Sequence, residues 1–502
     1  VFARHWAPNG FAAVPDTELD RLAALGFDYL WVMGVWTTGD LGRDIARSIF
    51  ASHVPSSDTQ LTKEAGVRPP LQPLDIESSP YAIARYEVDP RYGGNEALAE
   101  LRRRLAQRNI GLILDFVPNH TARDHDWITS HPDLYVHDRR GRAAVEGPGS
   151  IGTTGVADPN PHIACGKDPH FAPWTDTAQL DHRRAETRRM LIETLKTIAT
   201  QCDGVRCDMA MLALSDVFAK TWVHTNPKGS EPLEFGTVRG PDANLAHGEF
   251  WAEAIDALPR DFIWIAEAYW NLEDRLQKLG FDFTYDKPLY DHLLHGTPGQ
   301  IRAELAGPIE FQRRCVRFVE NHDEPRLAAT LPADRAGAAL VIALTAPGMR
   351  LVHEGQMEGL RARAVIQYAR RPDEPPPATP FIEFSDHVSS TTSVPMQTLH
   401  EKLLAVPRAG DFALLPTTDD RLIAYRWDHR DTPVVVVVNY SPKVASAYVT
   451  LELHGLAGRR VVLRDVLEDV TYERDGSSAL HVVLRPWQAH VFTVTTDGLW
   501  NG

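Results

Sequence analysis

A chain of 502 residues can bury a large core and has room for more than one domain. Its 43% apolar and 24% charged content is that of an ordinary globular protein, and no stretch approaches the roughly 18–20 apolar residues that span a bilayer, so no membrane partner is expected. A net charge of −15, from 52 basic and 67 acidic side chains, leaves no electrostatic footprint for nucleic acid and favours a neutral substrate.

The opening residues, Val1-Phe-Ala-Arg-His-Trp6, lack the hydrophobic core of a secretory signal and make a poor, short strand. Either the first strand is abbreviated or residues are missing before it. Asp16 to Gly26 then reads as an amphipathic helix closed by glycine, and Phe27 to Val35 as a buried strand. A helix over 96–109 feeds the strand Ile110–Val117. The unit repeats with helix 184–200 and strand 204–209, helix 250–257 and strand 262–268, and helix 300–306 and strand 315–320. A last helix, 332–344, precedes strand 349–353. Alternation at this spacing predicts a parallel α/β architecture. About eight units favour a closed (β/α)8 TIM barrel over a doubly wound sheet, which would also show a Gly-rich phosphate turn after an early strand.

Two segments break the rhythm. Residues 121–182, rich in Pro, Gly, His and Asp, predict a small inserted subdomain after the third strand, and 361–396 is long enough to suggest a substrate-facing loop. From 407 to 502 the pattern becomes short strands with turns: Leu422–Trp427, Pro433–Val438, Ala447–Leu453, Val461–Arg464 and His481–Leu484. This predicts a C-terminal all-β sandwich domain following a barrel over 1–406. Cys165, Cys202, Cys207 and Cys315 show neither disulfide density nor zinc spacing; they read as small buried hydrophobes of a reducing, cytoplasmic protein.

Chemistry concentrates at the ends of apolar runs. Gly204-Val-Arg-Cys-Asp208 and Phe318-Val-Glu-Asn-His-Asp-Glu-Pro-Arg326, with Glu267 between them, supply three acidic groups at predicted strand C-termini. In a barrel those ends share one face, where active sites form. Paired carboxylates there suit glycosidic bond cleavage, one attacking and one donating a proton. Arg206 and Asp208, two apart on one strand, point to one face, so the guanidinium would keep Asp208 ionised. The apolar and aromatic flanks of Glu267 suit a partly desolvated acid.

Four motifs in order carry a resemblance: Asp115-Phe-Val-Pro-Asn-His120, Gly204-Val-Arg-Cys-Asp208, Ile265-Ala-Glu267 and Phe318-Val-Glu-Asn-His-Asp323. Together they resemble the α-amylase family, glycoside hydrolase family 13. The resemblance implies a retaining α-glycosidase with Asp208 as nucleophile, Glu267 as acid and then base, and Asp323 binding ring hydroxyls with help from His322. It also implies a pocket completed by Asp115, His120 and a Tyr81 platform, with Arg206 beside the nucleophile and Arg326 on the substrate side. The two carboxylates would lie about 5–5.5 Å apart.

Departures from the family narrow the substrate. Met211 and Leu212 stand where many starch-cleaving relatives carry Lys-His, and Ala82 follows Tyr81 where exo-acting relatives carry Asp. The first favours an apolar or short acceptor site, the second, with Arg326 kept, leaves exo action open, and the short insertion after the third strand favours a short α-glucoside or oligosaccharide over a polymer. Water or an acceptor sugar could intercept the intermediate, giving hydrolysis or transglycosylation. A non-catalytic barrel scaffold is disfavoured by the three intact carboxylates, and a metal-dependent hydrolase by the lack of a tight His–carboxylate cluster. Asn119 resembles a calcium ligand in some relatives, but a hard cation needs six or more oxygens that the sequence does not assemble. No metal or other cofactor is expected, and the oligomeric state is left open.

Overall fold

Apolar runs bounded by helices become short parallel strands in a computed structural model that describes residues 1–52, 73–137, 163–222, 249–372, 374, 382–386, 390–429, 432–451, 459–475 and 479–496. The chain forms two compact units. One holds the described residues up to Tyr285 together with Ala364–Pro372; the other holds Asp286–Arg363 and the described residues from Glu374 onward.

In the first unit β1 (Tyr29–Trp31), β2 (Gly111–Phe116), β3 (Gly204–Cys207), β4 (Ile263–Ala266) and β5 (Phe283–Tyr285) pair in parallel in chain order. Phe2 makes a single parallel bridge to Met33, so the opening strand is present as one residue before the chain coils into a short helix, Ala3–Trp6. β2 and β3 are buried through almost their whole length, as parallel strands covered on both faces must be, while β1 buries only its central Leu30. Leu112, Leu114, Phe116, Val205 and Cys207 pack with Leu98, Leu101 and Leu105 of α1 (Gly94–Ala106) and Leu191, Leu195 and Ile198 of α2 (Ala185–Ala199). The i, i+3, i+7 spacing in α1 and i, i+4, i+7 spacing in α2 turn one stripe of each helix to the sheet. Gly204 has a packing reason: a Cβ there would lie 2.5 Å from the Ile263 carbonyl oxygen of the neighbouring strand.

The alternate positions of the strands carry the polar residues. In register, Asp115 of β2 stands beside Arg206 of β3, and Arg206 beside Ile265 of β4. After β2 the chain enters the expected insertion, where His120–Ala122 pairs antiparallel with Thr177–Gln179. Residues 138–162 of that insertion lie outside the described set.

The second unit holds β6 (Cys315–Arg317) and β7 (Met349–Arg350), again parallel. Its α3 (Lys287–His295) is capped by Asp286, whose Oδ1 accepts from the Leu289 amide at 3.0 Å. The buried Arg317 guanidinium contacts Asp286 and Gln312 and donates to the Pro347 carbonyl. An antiparallel six-stranded sheet follows, running Asp411–Leu414, Leu422–Asp428, Val434–Asn439, Ala489–Thr496, Arg460–Asp465 and Thr471–Asp475. A two-stranded sheet, Ala445–Val449 with Leu480–Leu484, shares one core with it through Ala445, Ala447, Val449, Val435, Val437 and Leu463. That is the two-layer β domain expected.

The fold is thus a (β/α)8-type barrel followed by an all-β domain. The differences from expectation are local. β5 was not foreseen, because three residues after Gly280 are too few to show a period. The segment expected as a loop over 361–396 contains an antiparallel pair, Ile382–Asp386 with Ser390–Val394, while 373, 375–381 and 387–389 lie outside the described residues. The two compact units divide at Tyr285/Asp286. Within the second unit, helix Ala333–Thr345 is tied to the β domain: Thr345 shares a 2.6 Å hydroxyl contact with Tyr425, and Trp427 Nε1 donates to the Thr345 carbonyl.

Candidate active site

Arg206 is the centre of the polar cluster in the first unit. It is 1% exposed, and its Nη1 lies 2.6 Å from Asp208 Oδ1 and 3.7 Å from Asp115 Oδ1, while Nη2 lies 2.8 Å from Glu267 Oε2. Its guanidinium carbon sits 5.2 Å from the rings of Trp31 and Tyr81 and 5.8 Å from that of Tyr285. Burial by itself would weaken its hold on a proton, but the Glu267 charge, with Tyr81, Tyr285 and Asp208, raises the Arg206 pKa well above its usual value. The cation is permanent, and it orients two carboxylates at once.

Glu267 is held by three donors. Besides Arg206, the Met209 amide donates to Oε2 at 2.6 Å, and the Tyr269 hydroxyl donates to Oε1 at 2.8 Å. The Met209 amide is aimed there by a left-handed backbone, φ 41°, immediately after Asp208. Asp115 is fixed through Oδ1 by Trp31 Nε1 and through Oδ2 by the Gly34 amide, each at 3.2 Å. Strand geometry accounts for this convergence: Asp208, Glu267 and Asp115 lie at or beyond the C-terminal ends of β3, β4 and β2, and the Glu267 amide donates to the Cys207 carbonyl.

Tyr81, 8% exposed, lies against Arg206, and its amide is held by Ser79 Oγ. His120 is buried beside the Trp174 ring, 5.2 Å between centroids; burial pushes its pKa down to about 4, although a hydrogen bond with the Tyr81 backbone acts the other way. It is therefore neutral over the ordinary working range.

His322, Asp323 and Arg326 lie in the second unit, beyond β6. Asn321 Oδ1 accepts from the amides of Asp323 and Glu324 at 2.9 and 3.0 Å, which folds the turn. His322 Nε2 is 3.0 Å from Asp323 Oδ2, and the Asp323 side chain keeps 37% exposure. Arg326 is buried, its Nη1 bonded to Glu320 at 2.6 Å and to the Glu354 carbonyl at 2.7 Å. Its guanidinium thus holds its own loop together.

The structure brings Tyr81, Asp115, Arg206, Asp208 and Glu267 into one cluster and adds Trp31, Met209, Tyr269 and Tyr285, which the sequence did not single out. Trp31 was hidden inside an apolar run, and Tyr285 in an unrecognised strand. Tyr269, two residues after the acid, had a visible signal: a phenol at the same-face spacing. Met211 and Leu212 are 0% and 2% exposed and belong to the core.

Residues 18–142 match the model of the α-amylase catalytic domain. Alpha-amylase 3 of Dictyoglomus thermophilum is 25% identical over 305 residues, covering 57% of this chain and 55% of that protein. Alpha-amylase MalA of Haloarcula japonica is 25% identical over 347 residues, covering 66% of this chain and 43% of that protein. Together these similarities point to the α-amylase family of glycoside hydrolases. The matches span about half the length of these curated relatives. The likeness in fold extends over nearly the whole chain: a noncanonic maltogenic α-amylase, AmyB of Thermotoga neapolitana, superposes with a TM-score of 0.65 at 20% identity, covering 98% of this chain and 97% of that one. Among the described residues, no helix is long and apolar enough to cross a membrane.

Proposed function

We propose that this α-amylase-family enzyme is a retaining α-glycosidase that acts on short α-glucosides or α-gluco-oligosaccharides. The observation that carries the reading is the sharing of one buried guanidinium by two carboxylates, Asp208 on Nη1 and Glu267 on Nη2. That arrangement holds one acid as an oriented anion and the other within reach of the same bond, which double displacement requires.

In this reading Asp208 attacks the anomeric carbon as Glu267 protonates the departing oxygen. The glycosyl ester on Asp208 is then opened by water, or by an acceptor sugar, which Glu267 deprotonates. Asp323 and His322 keep the hydroxyl-binding role that the resemblance implies, and Tyr81 the platform role. The names of the relatives, α-amylases, support an α-glucan-type substrate.

The test is product analysis on maltose, maltotriose, isomaltose, trehalose, sucrose, kojibiose and soluble starch, with the anomeric configuration of fresh product followed by NMR. Release of α-anomeric product from a short substrate is expected. Release of β-anomeric product would sink the double-displacement reading.

A further inference from the structure

We propose that Tyr269 is a positioning residue for Glu267, and that its phenol decides which carboxyl oxygen carries the proton delivered to the glycosidic oxygen. This deepens, and rests on, the acid/base role proposed above for Glu267.

The two oxygens of Glu267 have different neighbours. Oε2 faces Arg206 Nη2 at 2.8 Å and the Met209 amide at 2.6 Å. Both are donors, and neither can accept a hydrogen bond. Oε1 faces the Tyr269 hydroxyl at 2.8 Å, which can do either. A proton on Glu267 therefore resides on Oε1, where the phenol, unlike the two donors at Oε2, can turn its own hydrogen away. When that proton passes to the glycosidic oxygen, the C1–O bond breaks and the bond from Asp208 to C1 forms. Glu267 is then a carboxylate, and the phenol rotates to donate to Oε1. In the second step the oxygen of water bonds to C1, the C1–Asp208 bond breaks, and the proton of water returns to Oε1. Tyr269 gains and loses no proton over the cycle.

The backbone around both oxygens is shaped accordingly. Met209 has φ 41°, and Trp270 and Asn271, directly after Tyr269, have φ 65° and 58°. Left-handed conformations are costly for bulky side chains and persist where the surroundings over-determine them. The first presents an amide to Oε2. The other two turn the chain immediately after the tyrosine that serves Oε1. His170 packs edge-on against Trp270 at 4.9 Å and braces that turn.

Tyr269→Phe removes one oxygen and keeps the ring. On an unactivated α-glucoside, kcat/KM is expected to fall about tenfold. The alkaline limb of its pH profile should move to higher pH, because a donor to the carboxylate has gone. An α-glucosyl fluoride, whose leaving group needs no proton, should show a much smaller loss. An unmoved limb with equal losses on both substrates would overturn the proposal. Tyr269→His, which retains a ring donor, should keep more of the wild-type profile than Tyr269→Phe; a His variant no better than Phe counts against the hydrogen bond. Glu267→Gln run alongside separates the two levels. If Glu267→Gln hurts both substrates equally, the acid role itself fails. If it spares the fluoride while Tyr269→Phe leaves the limb in place, only the role of Tyr269 fails.

Discussion

The loops after β3 and β4 and the loop after β6 use the same residue types to opposite ends. In the first unit, one guanidinium has three carboxylates, Asp115, Asp208 and Glu267, within 3.7 Å. Sharing one cation among three acids favours protonation of one of them, the condition for an acid and an anion to coexist side by side. In the second unit, Arg326 meets one carboxylate, Glu320, and closes its remaining contacts on the carbonyls of Glu354 and Ala362. A buried arginine matched one-to-one holds a loop; one that is outnumbered organises chemistry. Asp323, in that second loop, is instead kept partly exposed by the turn that Asn321 ties.

The largest effect should come from the outnumbered cluster. Asp208→Asn keeps the shape and removes the charge, and kcat should fall by about 10⁴-fold or more with the fold intact. Circular dichroism together with initial rates on maltose would check it. Retention of near-normal turnover would remove Asp208 as nucleophile and with it the contrast between the two loops.

The sequence carried much of this cluster and little of its support. Residues 110–117 and 204–209 were readable as strands because buried parallel strands are continuous apolar runs. The acidic positions followed from their place at strand ends. Trp31, Tyr285 and the Met209 amide were not readable. A tryptophan inside an apolar run carries no mark that its indole nitrogen bonds Asp115, and an amide direction set by φ 41° is a tertiary outcome. Arg326 shows the reverse: its motif suggested a sugar-facing group, while the pairing with Glu320 six residues earlier needed the folded turn to appear. In the β domain, a strand over Ala447–Leu453 is expected and Ala445–Val449 found; its start lies two residues earlier, which leaves the buried face unchanged because the period is two, and residues 452–453 lie outside the described set.

The matched pair in the second loop offers the next test. Arg326→Met leaves Glu320 buried with the Leu327 amide but without its cation, and removing one partner of such a pair costs about 3–5 kcal/mol. Burial already raises the Glu320 pKa against the opposing pull of Arg326. Without Arg326 the carboxyl should stay protonated to higher pH, so the deficit in urea unfolding should be largest at alkaline pH and shrink toward acid. A deficit independent of pH would mean that Arg326 matters for its carbonyl contacts rather than its charge. Glu320→Gln in the same background should recover part of the loss.

A smaller effect concerns neutral histidines. His182 is buried between the rings of Phe218 and Phe250, its Nε2 bonded to the Pro118 carbonyl at 3.0 Å, and burial brings its pKa down to about 4. His120 and His400 are held down in the same way. Folded values below the ordinary 6.5 mean that the unfolded chain takes up protons first as pH falls. Stability is therefore complete above about pH 6.5 and lost progressively toward pH 4, by on the order of 2–3 kcal/mol per histidine. His182→Gln should flatten that part of the profile, and an unchanged slope would place the proton uptake elsewhere.

The smallest expected effect lies on the helix surface, and it separates burial from distance. Arg189 and Glu186 of α2 form an ion pair of 2.6 Å, as short as that between Arg206 and Asp208, but their side chains are 62% and 51% exposed. Water already solvates both groups, holding two long side chains together costs entropy, and salt screens what attraction remains. Arg189→Ala should leave the urea midpoint unchanged within error at physiological salt, whereas the equally short buried contact should not tolerate its counterpart. If Arg189→Ala proved as damaging as Arg326→Met, distance rather than desolvation would be setting the strength of these pairs.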